Sequence, residues 1–380
     1  MKLTKLSLVA ALAVSAAVAG GDIAPVQPVA ETPKVLSNTT INGKLTGYYY
    51  TDDSVDLFDN DSSEFGLAAT LDVTHNFTKN IAMNFSAVGY VNTIKRNYEM
   101  EGNDNGAFIN VANLTATFAD TTFVLGRQLL DTPMLGGFDW LLAPGAFEAY
   151  TISNNSIENL TLVGSYVRTW RQNNTGDTWI NLTDLDDGNN WTLGAAYDNK
   201  TISGSIWYYN VDAGLAATGV DKYTQIYADA GYNFGSVQVA AQYANTNYDA
   251  ADDSDLFGVK VAGKVAGISL MAAYANVSDN TAGFVGRDTV YTSSWNTFAS
   301  TSEGNSYKFE AGTEFMGLDA TVSYAYYEYD QRNDEGNELD VILAYNITDS
   351  IDLNAVYSNT DWGNNNGDVN ALEIYANYKF

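Results

Sequence analysis

The sequence predicts an all-β fold: a transmembrane antiparallel up-and-down β-barrel of about eighteen strands, with sixteen as the nearest alternative count. Three observations lead there. From Ile41 to Phe380 the chain is a succession of segments, each roughly ten residues long, that alternate apolar and polar. The connections between those segments are alternately short and long. None of the five prolines (Pro25, Pro28, Pro33, Pro133, Pro144) falls inside a segment, as a sheet without a free edge requires.

The C-terminal segments show the alternation best. In 371–380, Leu372, Ile374, Ala376, Tyr378 and Phe380 share one face, while Glu373, Tyr375, Asn377 and Lys379 share the other. In 349–358, Ile351, Leu353, Ala355 and Tyr357 oppose Asp352, Asn354, Val356 and Ser358. In 339–347, Leu339, Val341, Leu343, Tyr345 and Ile347 oppose Asp340, Ile342, Ala344 and Asn346. In 307–315, Tyr307, Phe309, Ala311, Thr313 and Phe315 oppose Lys308, Glu310, Gly312 and Glu314. Charge deep within a strand suits either solvent or a wet lumen, so periodicity alone does not choose between a sandwich and a barrel.

The connections choose. Strands are read near 41–50, 64–76, 80–91, 106–118, 121–128, 146–153, 158–171, 189–197, 201–210, 221–233, 236–247, 254–265, 268–276, 305–315, 318–328, 337–346, 350–359 and 369–380. Short turns fall near Thr78, Asp120, Asn155, Asn199, Gly235, Gly267, Gly317 and Thr348. Long loops cover 51–63, 92–105, 129–145, 172–188, 211–220, 248–253, 277–304, 329–336 and 360–368. Short turns on one side and long loops on the other is the asymmetry of outer-membrane barrels, and an even count returns both ends to the short-turn side. A soluble sandwich gives no reason for it.

The segment before the strands has its own chemistry. Lys2 and Lys5 precede an apolar stretch from Leu6 to Val18, and Ala17 and Ala19 form a small-residue cleavage pattern, so residues 1–19 read as a signal peptide. Residues 20–40 read as a flexible periplasmic lead-in, and 41–380 as the barrel. Removing the signal takes the formal charge from −28 to −30, which excludes nucleic acid as a natural partner. With no cysteine, an exported chain relies on hydrogen bonding and packing rather than disulfides. The mean hydropathy is −0.18, and after the signal no apolar run approaches ~20 residues, which excludes a helical membrane protein but not a barrel. Tyr48, Tyr49 and Tyr50; Trp207, Tyr208 and Tyr209; and Tyr324, Tyr326, Tyr327 and Tyr329 gather toward long-loop ends, where an aromatic girdle would sit at headgroup depth.

The third long loop, 129–145, differs from its neighbours. It carries Leu129, Leu130, Met134, Leu135, Phe138, Trp140, Leu141 and Leu142 with both barrel prolines, a composition suited to folding against the inner wall and narrowing the channel. Asp131, Asp139 and Glu148 would then present carboxylates to passing solutes, with Arg127 and Arg171 as opposing cations, since rings of charge set pore selectivity. The bland alternative is that Arg127 only pins the loop by pairing with an acid. Its parity with outward Phe123 and Leu125 requires a bulge or strand end to turn it inward, and Arg168, in step with Leu162 and Tyr166, is left outside the pore.

Two features resemble a known family. Phe380, preceded in alternation by Tyr378 and Ala376, is similar to the C-terminal signal of bacterial outer-membrane proteins. The run Gly126-Arg127-Gln128-Leu129-Leu130-Asp131-Thr132-Pro133, with Phe138-Asp139-Trp140, Pro144 and Phe147-Glu148-Ala149-Tyr150, resembles the third-loop region of the major outer-membrane porins of Campylobacter and its relatives. That resemblance implies an eighteen-stranded, trimeric, cation-preferring pore with an inward third loop. Phe138 stands where that family often has an extra acid before the tryptophan.

The remaining acids lie mostly in long loops: Asp52, Asp53, Asp56, Asp59 and Asp61; Asp184, Asp186 and Asp187; Asp249, Asp252, Asp253 and Asp255; Asp334 and Glu335. They read first as solvated charge that draws cations to the pore mouth. No cofactor is expected, although such clusters could hold loop-bound Ca²⁺ or Mg²⁺; none matches an EF-hand. The only histidine, His75, sits at a predicted periplasmic turn without a serine nucleophile motif, so no enzymatic activity is expected. The expectation is a general porin in the outer membrane of a Gram-negative bacterium: a homotrimer among outer-membrane lipid and lipopolysaccharide, passing small hydrophilic solutes and cations. The alternatives are a substrate-specific OprD-like channel, for which this chain lacks an obvious arginine ladder, and a surface adhesin or structural protein.

Overall fold

The computed structural model describes residues 38–94, 105–139, 141–173, 175–182, 189–212, 222–301, 303–363 and 367–380. The expected signal peptide, nearly all of the expected lead-in, Trp140 and the acids at 184, 186 and 187 lie outside the described residues.

Each of the eighteen segments read from the alternation is a strand. They are β1 (Thr39–Asp52), β2 (Ser63–Asn76), β3 (Ile81–Ile94), β4 (Asn105–Phe118), β5 (Thr121–Gln128), β6 (Ala146–Ile157), β7 (Leu160–Arg171), β8 (Asn190–Asp198) and β9 (Ile202–Val211). The second half is β10 (Tyr223–Asn233), β11 (Val237–Tyr248), β12 (Ser254–Val265), β13 (Ile268–Ser278), β14 (Gly304–Phe315), β15 (Leu318–Tyr329), β16 (Asp334–Thr348), β17 (Ile351–Asp361) and β18 (Val369–Lys379). Each pairs antiparallel with the next, and β1 also pairs with β18, from Lys44 opposite Lys379 to Asp52 opposite Ala371. The barrel is therefore closed and has no edge to protect.

The two faces of each strand separate by chemistry. Leu45, Leu67, Ile152, Leu193, Ile206, Phe257 and Phe309 stand exposed on the outer wall. Glu338, Asp340, Asp352, Asn354, Ser358 and Glu373 are buried on the inner one. Apolar outside and polar inside is the inverse of a soluble sandwich and is what a lipid-facing wall demands. At the short-turn end, Ala266-Gly267 and Met316-Gly317 both take left-handed backbone, the two-residue turn whose twist matches its strands.

The expected girdle needs correction. Period-two geometry turns alternate ring residues inward, so Tyr48, Tyr50, Trp207, Tyr209, Tyr327 and Tyr329 are buried in the lumen. Only their neighbours, among them the exposed Tyr324, join Tyr150, Tyr243 and Tyr307 on the outer wall. The inward rings are the surface on which two loops rest. His75 lies at the rim of the short turns, where its Nδ1 is 2.8 Å from Thr39 Oγ1 and its ring meets Phe77 edge-on.

Candidate functional site: a lumen narrowed by two loops

The third loop leaves β5 at Gln128 and enters the lumen, as its composition predicts. A short pairing of Asp131–Thr132 with Leu135–Gly136 makes it a tight hairpin. Leu130, Met134 and Leu135 pack on Phe147, Trp170, Trp207 and Tyr209, while Leu141, Leu142 and Ala143 pack on Tyr48, Tyr90, Phe108 and Tyr375. The loop thus touches inward rings from two separate parts of the wall. Tyr209 fixes its tip: the hydroxyl donates to Thr132 Oγ1 at 3.2 Å and accepts from the Met134 amide at 3.2 Å.

A second loop enters from the other side, and composition had not marked it out. Loop 7, residues 279–303 between β13 and β14, falls in the long connection 277–304 that the sequence does not distinguish from its neighbours, yet Ala282, Val285, Asp288, Val290, Tyr291, Ser293 and Ala299 are buried inside the barrel. The wall holds it through polar side chains. Tyr327 donates to the Thr292 carbonyl at 2.9 Å and Lys308 Nζ to that of Ser293 at 2.7 Å. Glu338 accepts from the Asn296 amide and from Thr297 Oγ1, both at 2.6 Å. Glu373 accepts from Trp295 Nε1 at 2.7 Å and from Tyr375 at 2.8 Å. Inside the loop, Asp288 accepts from Ser293 Oγ at 2.8 Å and the Ser300 amide at 3.1 Å. Burial pushes the Asp288 carboxyl above the usual range, against those donors, which draw it down.

Eight strands, β6 to β13, separate the roots of the two loops on one side of the closed barrel and ten on the other, so the loops start from opposite walls. They meet in the lumen as a miniature sheet. The Val285 amide donates to the Met134 carbonyl at 2.9 Å, and the Gly136 amide to the Val285 carbonyl at 3.0 Å. Arg287 closes the junction by an ion pair with Asp131. Gly286 makes this approach possible, because its backbone is left-handed (φ 80°) and any Cβ there would collide with the Gly136 carbonyl. Phe298 of loop 7 meets Phe138 of loop 3 at 5.3 Å and Phe284 at 5.5 Å.

The five residues singled out from sequence do not gather at one constriction; Arg127 and Glu148 are neighbours, but on the outer wall. Asp131 lies at the loop junction and Asp139 is exposed on loop 3. Arg171 is fully buried, donating to Asn110 Oδ1 at 3.1 Å and to the Pro144 carbonyl at 2.7 Å, so it roots the returning limb of loop 3. Arg127 keeps the outward parity of Phe123 and Leu125 and stands opposite Glu148. Glu148 in turn pairs with Arg168 at 3.2 Å on the same outer face. No bulge in the β5–β6 ladder turns Arg127 inward, since the pairing runs without a shift from Thr121 to Gln128.

The inner wall carries charges that the sequence had placed on one face of a strand without assigning a role. Lys308 Nζ lies 2.9 Å from Glu310, and Lys379 Nζ lies 2.8 Å from Asp352. Lys260 sits 4.2 Å over the ring of Tyr291 of loop 7. For Lys308, Glu310, Asp352 and Lys379 the signal was strand parity, since each stands on the face the alternation marks as polar. Among the described residues, no group of three or more His, Cys, Asp or Glu is arranged to hold a metal ion.

No protein-family model matches the chain, and no curated protein matches it. Solved structures do. The outer membrane protein OpdK of Pseudomonas aeruginosa is similar with a TM-score of 0.77 at 16% identity, over 90% of this chain and 98% of that one. A BenF-like porin from Pseudomonas fluorescens Pf-5 gives 0.74 at 16% identity, over 91% and 100%. OccAB3 of Acinetobacter baumannii gives 0.75 at 14% identity, over 90% and 99%. The likeness is one of fold, a closed antiparallel barrel of eighteen strands, and it runs nearly the full length of both partners.

Proposed function

We propose that the chain is an outer-membrane channel for passive diffusion of small hydrophilic solutes, and that it selects them where loops 3 and 7 meet. The observation that carries this reading is the Met134–Val285–Gly136 ladder with its Asp131–Arg287 ion pair. Two loops that interlock across a lumen divide it into narrow passages lined by fixed charge, and fixed charge at a constriction discriminates among solutes. That arrangement favours the substrate-specific, OprD-like reading over the unselective general porin first expected. OpdK and the BenF-like porin, similar in fold, support a channel rather than an adhesin.

Cation preference is part of the proposal. It rests on the formal charge of −28, on Asp131 and Asp139 in loop 3, and on Glu310, Asp340 and Glu373 along the inner wall. A precursor cut after Ala19, a home in the outer membrane of a Gram-negative cell and assembly into trimers belong to the same reading. The third-loop resemblance to Campylobacter-type porins supports the trimer and the ion preference.

Planar-bilayer recording tests this. In a KCl gradient the reversal potential takes the sign of a cation-selective channel, and current steps arrive in threes. An anion-selective potential overturns the charge assignment. Absence of conductance from correctly folded protein overturns the channel.

A further inference from the structure

Outside the lumen, one part of the outer wall departs from the apolar rule. Across three neighbouring strands at their long-loop ends, Arg127 on β5, Glu148 on β6 and Arg168 on β7 stand in a row on the outer face. The register shifts between Glu148 and Ala149, where Glu148 pairs with Thr169 and Ala149 with Val167, so Arg168 is the extra residue of a bulge at this row. The row below is Leu125, Tyr150 and Tyr166, with the two tyrosine rings stacked 6.4 Å apart. Below that come Phe123, Ile152 and Gly164. Moving outward, the wall changes from aliphatic to aromatic to charged within three rows.

That gradient fixes depth. An arginine on a lipid-facing wall is costly at the bilayer midplane and nearly free at the interface, and stacked tyrosines mark headgroup level. At that level the described residues take up only part of the donors. Among the described residues the Arg127 guanidinium donates to the Ile109 carbonyl at 2.9 Å and lies 4.1 Å from the Trp179 ring. Arg168 reaches Glu148 and the Tyr150 hydroxyl, and its side chain stays 42% exposed. Each guanidinium has five N–H donors, so most remain for an external acceptor. Glu148, opposite Arg127 in the ladder and 3.2 Å from Arg168, offsets one of the two charges. In a chain with 46 acidic and 18 basic residues, two arginines flanking a single glutamate leave this row of the lipid wall with one positive charge in excess, suited to an external anion.

We infer that Arg127 and Arg168, flanking Glu148, form a docking site on the outer wall for a phosphate group of an outer-leaflet glycolipid. Planar, forked guanidinia suit phosphate oxygens, and the stacked Tyr150 and Tyr166 below would lie along the sugar and the first acyl carbons. The inference rests on the outer-membrane reading above.

The test uses the full-length protein in detergent micelles, with bis-phosphorylated lipid A or the same lipid stripped of its phosphates, read by native mass spectrometry. The phosphorylated form is retained roughly ten-fold more strongly, the size expected of about 1.4 kcal/mol from charge-assisted bonds. Replacing both arginines (Arg127→Gln with Arg168→Gln) removes the preference, while Glu148→Gln keeps or strengthens it. Millimolar inorganic phosphate does not displace the lipid. Equal retention of both lipids, a double variant that behaves as wild type, or displacement by free phosphate overturns the inference. So does loss of trimer with lipid preference intact, which would assign the row to a second copy of the chain. Conductance of Arg168→Gln stays unchanged, so failure of the lipid site is distinguishable from failure of the channel.

Discussion

Loops 3 and 7 do the same mechanical task with opposite chemistry. Loop 3 is held mainly by its own apolar side chains, with Leu130, Met134, Leu135, Leu141 and Leu142 packed on inward rings. Loop 7 is held mainly by the wall, whose Tyr327, Lys308, Glu338 and Glu373 take its backbone and its Trp295 and Thr297 side chains. An apolar loop advertises its destination. A polar loop that is buried by a polar wall looks like any external loop until the wall is in place. The lesson is that burial inside a wet barrel is decided by complementarity, not by hydrophobicity alone.

The contrast can be broken from the loop 7 side first. Glu338→Ala leaves the Asn296 amide and Thr297 hydroxyl without their acceptor, and bonds to a charged group each contribute about 1.5–3 kcal/mol. We expect amide exchange in 290–299 to rise by orders of magnitude while loop 3 stays protected. Next in size is Gly286→Ala, which forces a Cβ against the Gly136 carbonyl from a left-handed backbone at a cost of about 1–3 kcal/mol. It should part the loops and make single-channel current noisier. Smaller again is the Asp131–Arg287 pair. A double-mutant cycle of Asp131→Asn and Arg287→Gln should return a coupling of about 1 kcal/mol, modest because Asp131 remains partly exposed.

The smallest effect is on pH. The folded-state pKa of Asp288 is raised by burial, so the stability linked to it is complete below the unfolded carboxylate value and is lost as pH rises through the folded one. Loop 7 should therefore be cut by a protease faster at pH 7 than at pH 4.5. Asp288→Asn, neutral at both, should flatten that difference.

Most of the barrel was legible because strand parity and turn length are local properties. All eighteen strands were found, with ends displaced by up to four residues where the ladder outruns the apolar band. The site was legible only in part. Loop 3 entered the lumen as its leucines required, but Arg127 and Glu148 stayed on the outer wall that their parity dictated. Arg171 became a buried root because β5 stops short, leaving Asn110 and the Pro144 carbonyl within its reach. Glu338 and Lys308 carried the right parity for the lumen, yet nothing local in their segments says that a loop 15 to 42 residues away would need them.

The central claim is that loop 7 and loop 3 together set the width of the passage. The Ala282 amide donates to the Ser300 carbonyl at 2.9 Å, so residues 283–299 can be excised and their ends joined with little strain on β13 and β14. Single-channel conductance in KCl of that variant should rise several-fold above the full-length protein at unchanged barrel stability. An unaltered conductance would contradict a passage shared between the two loops.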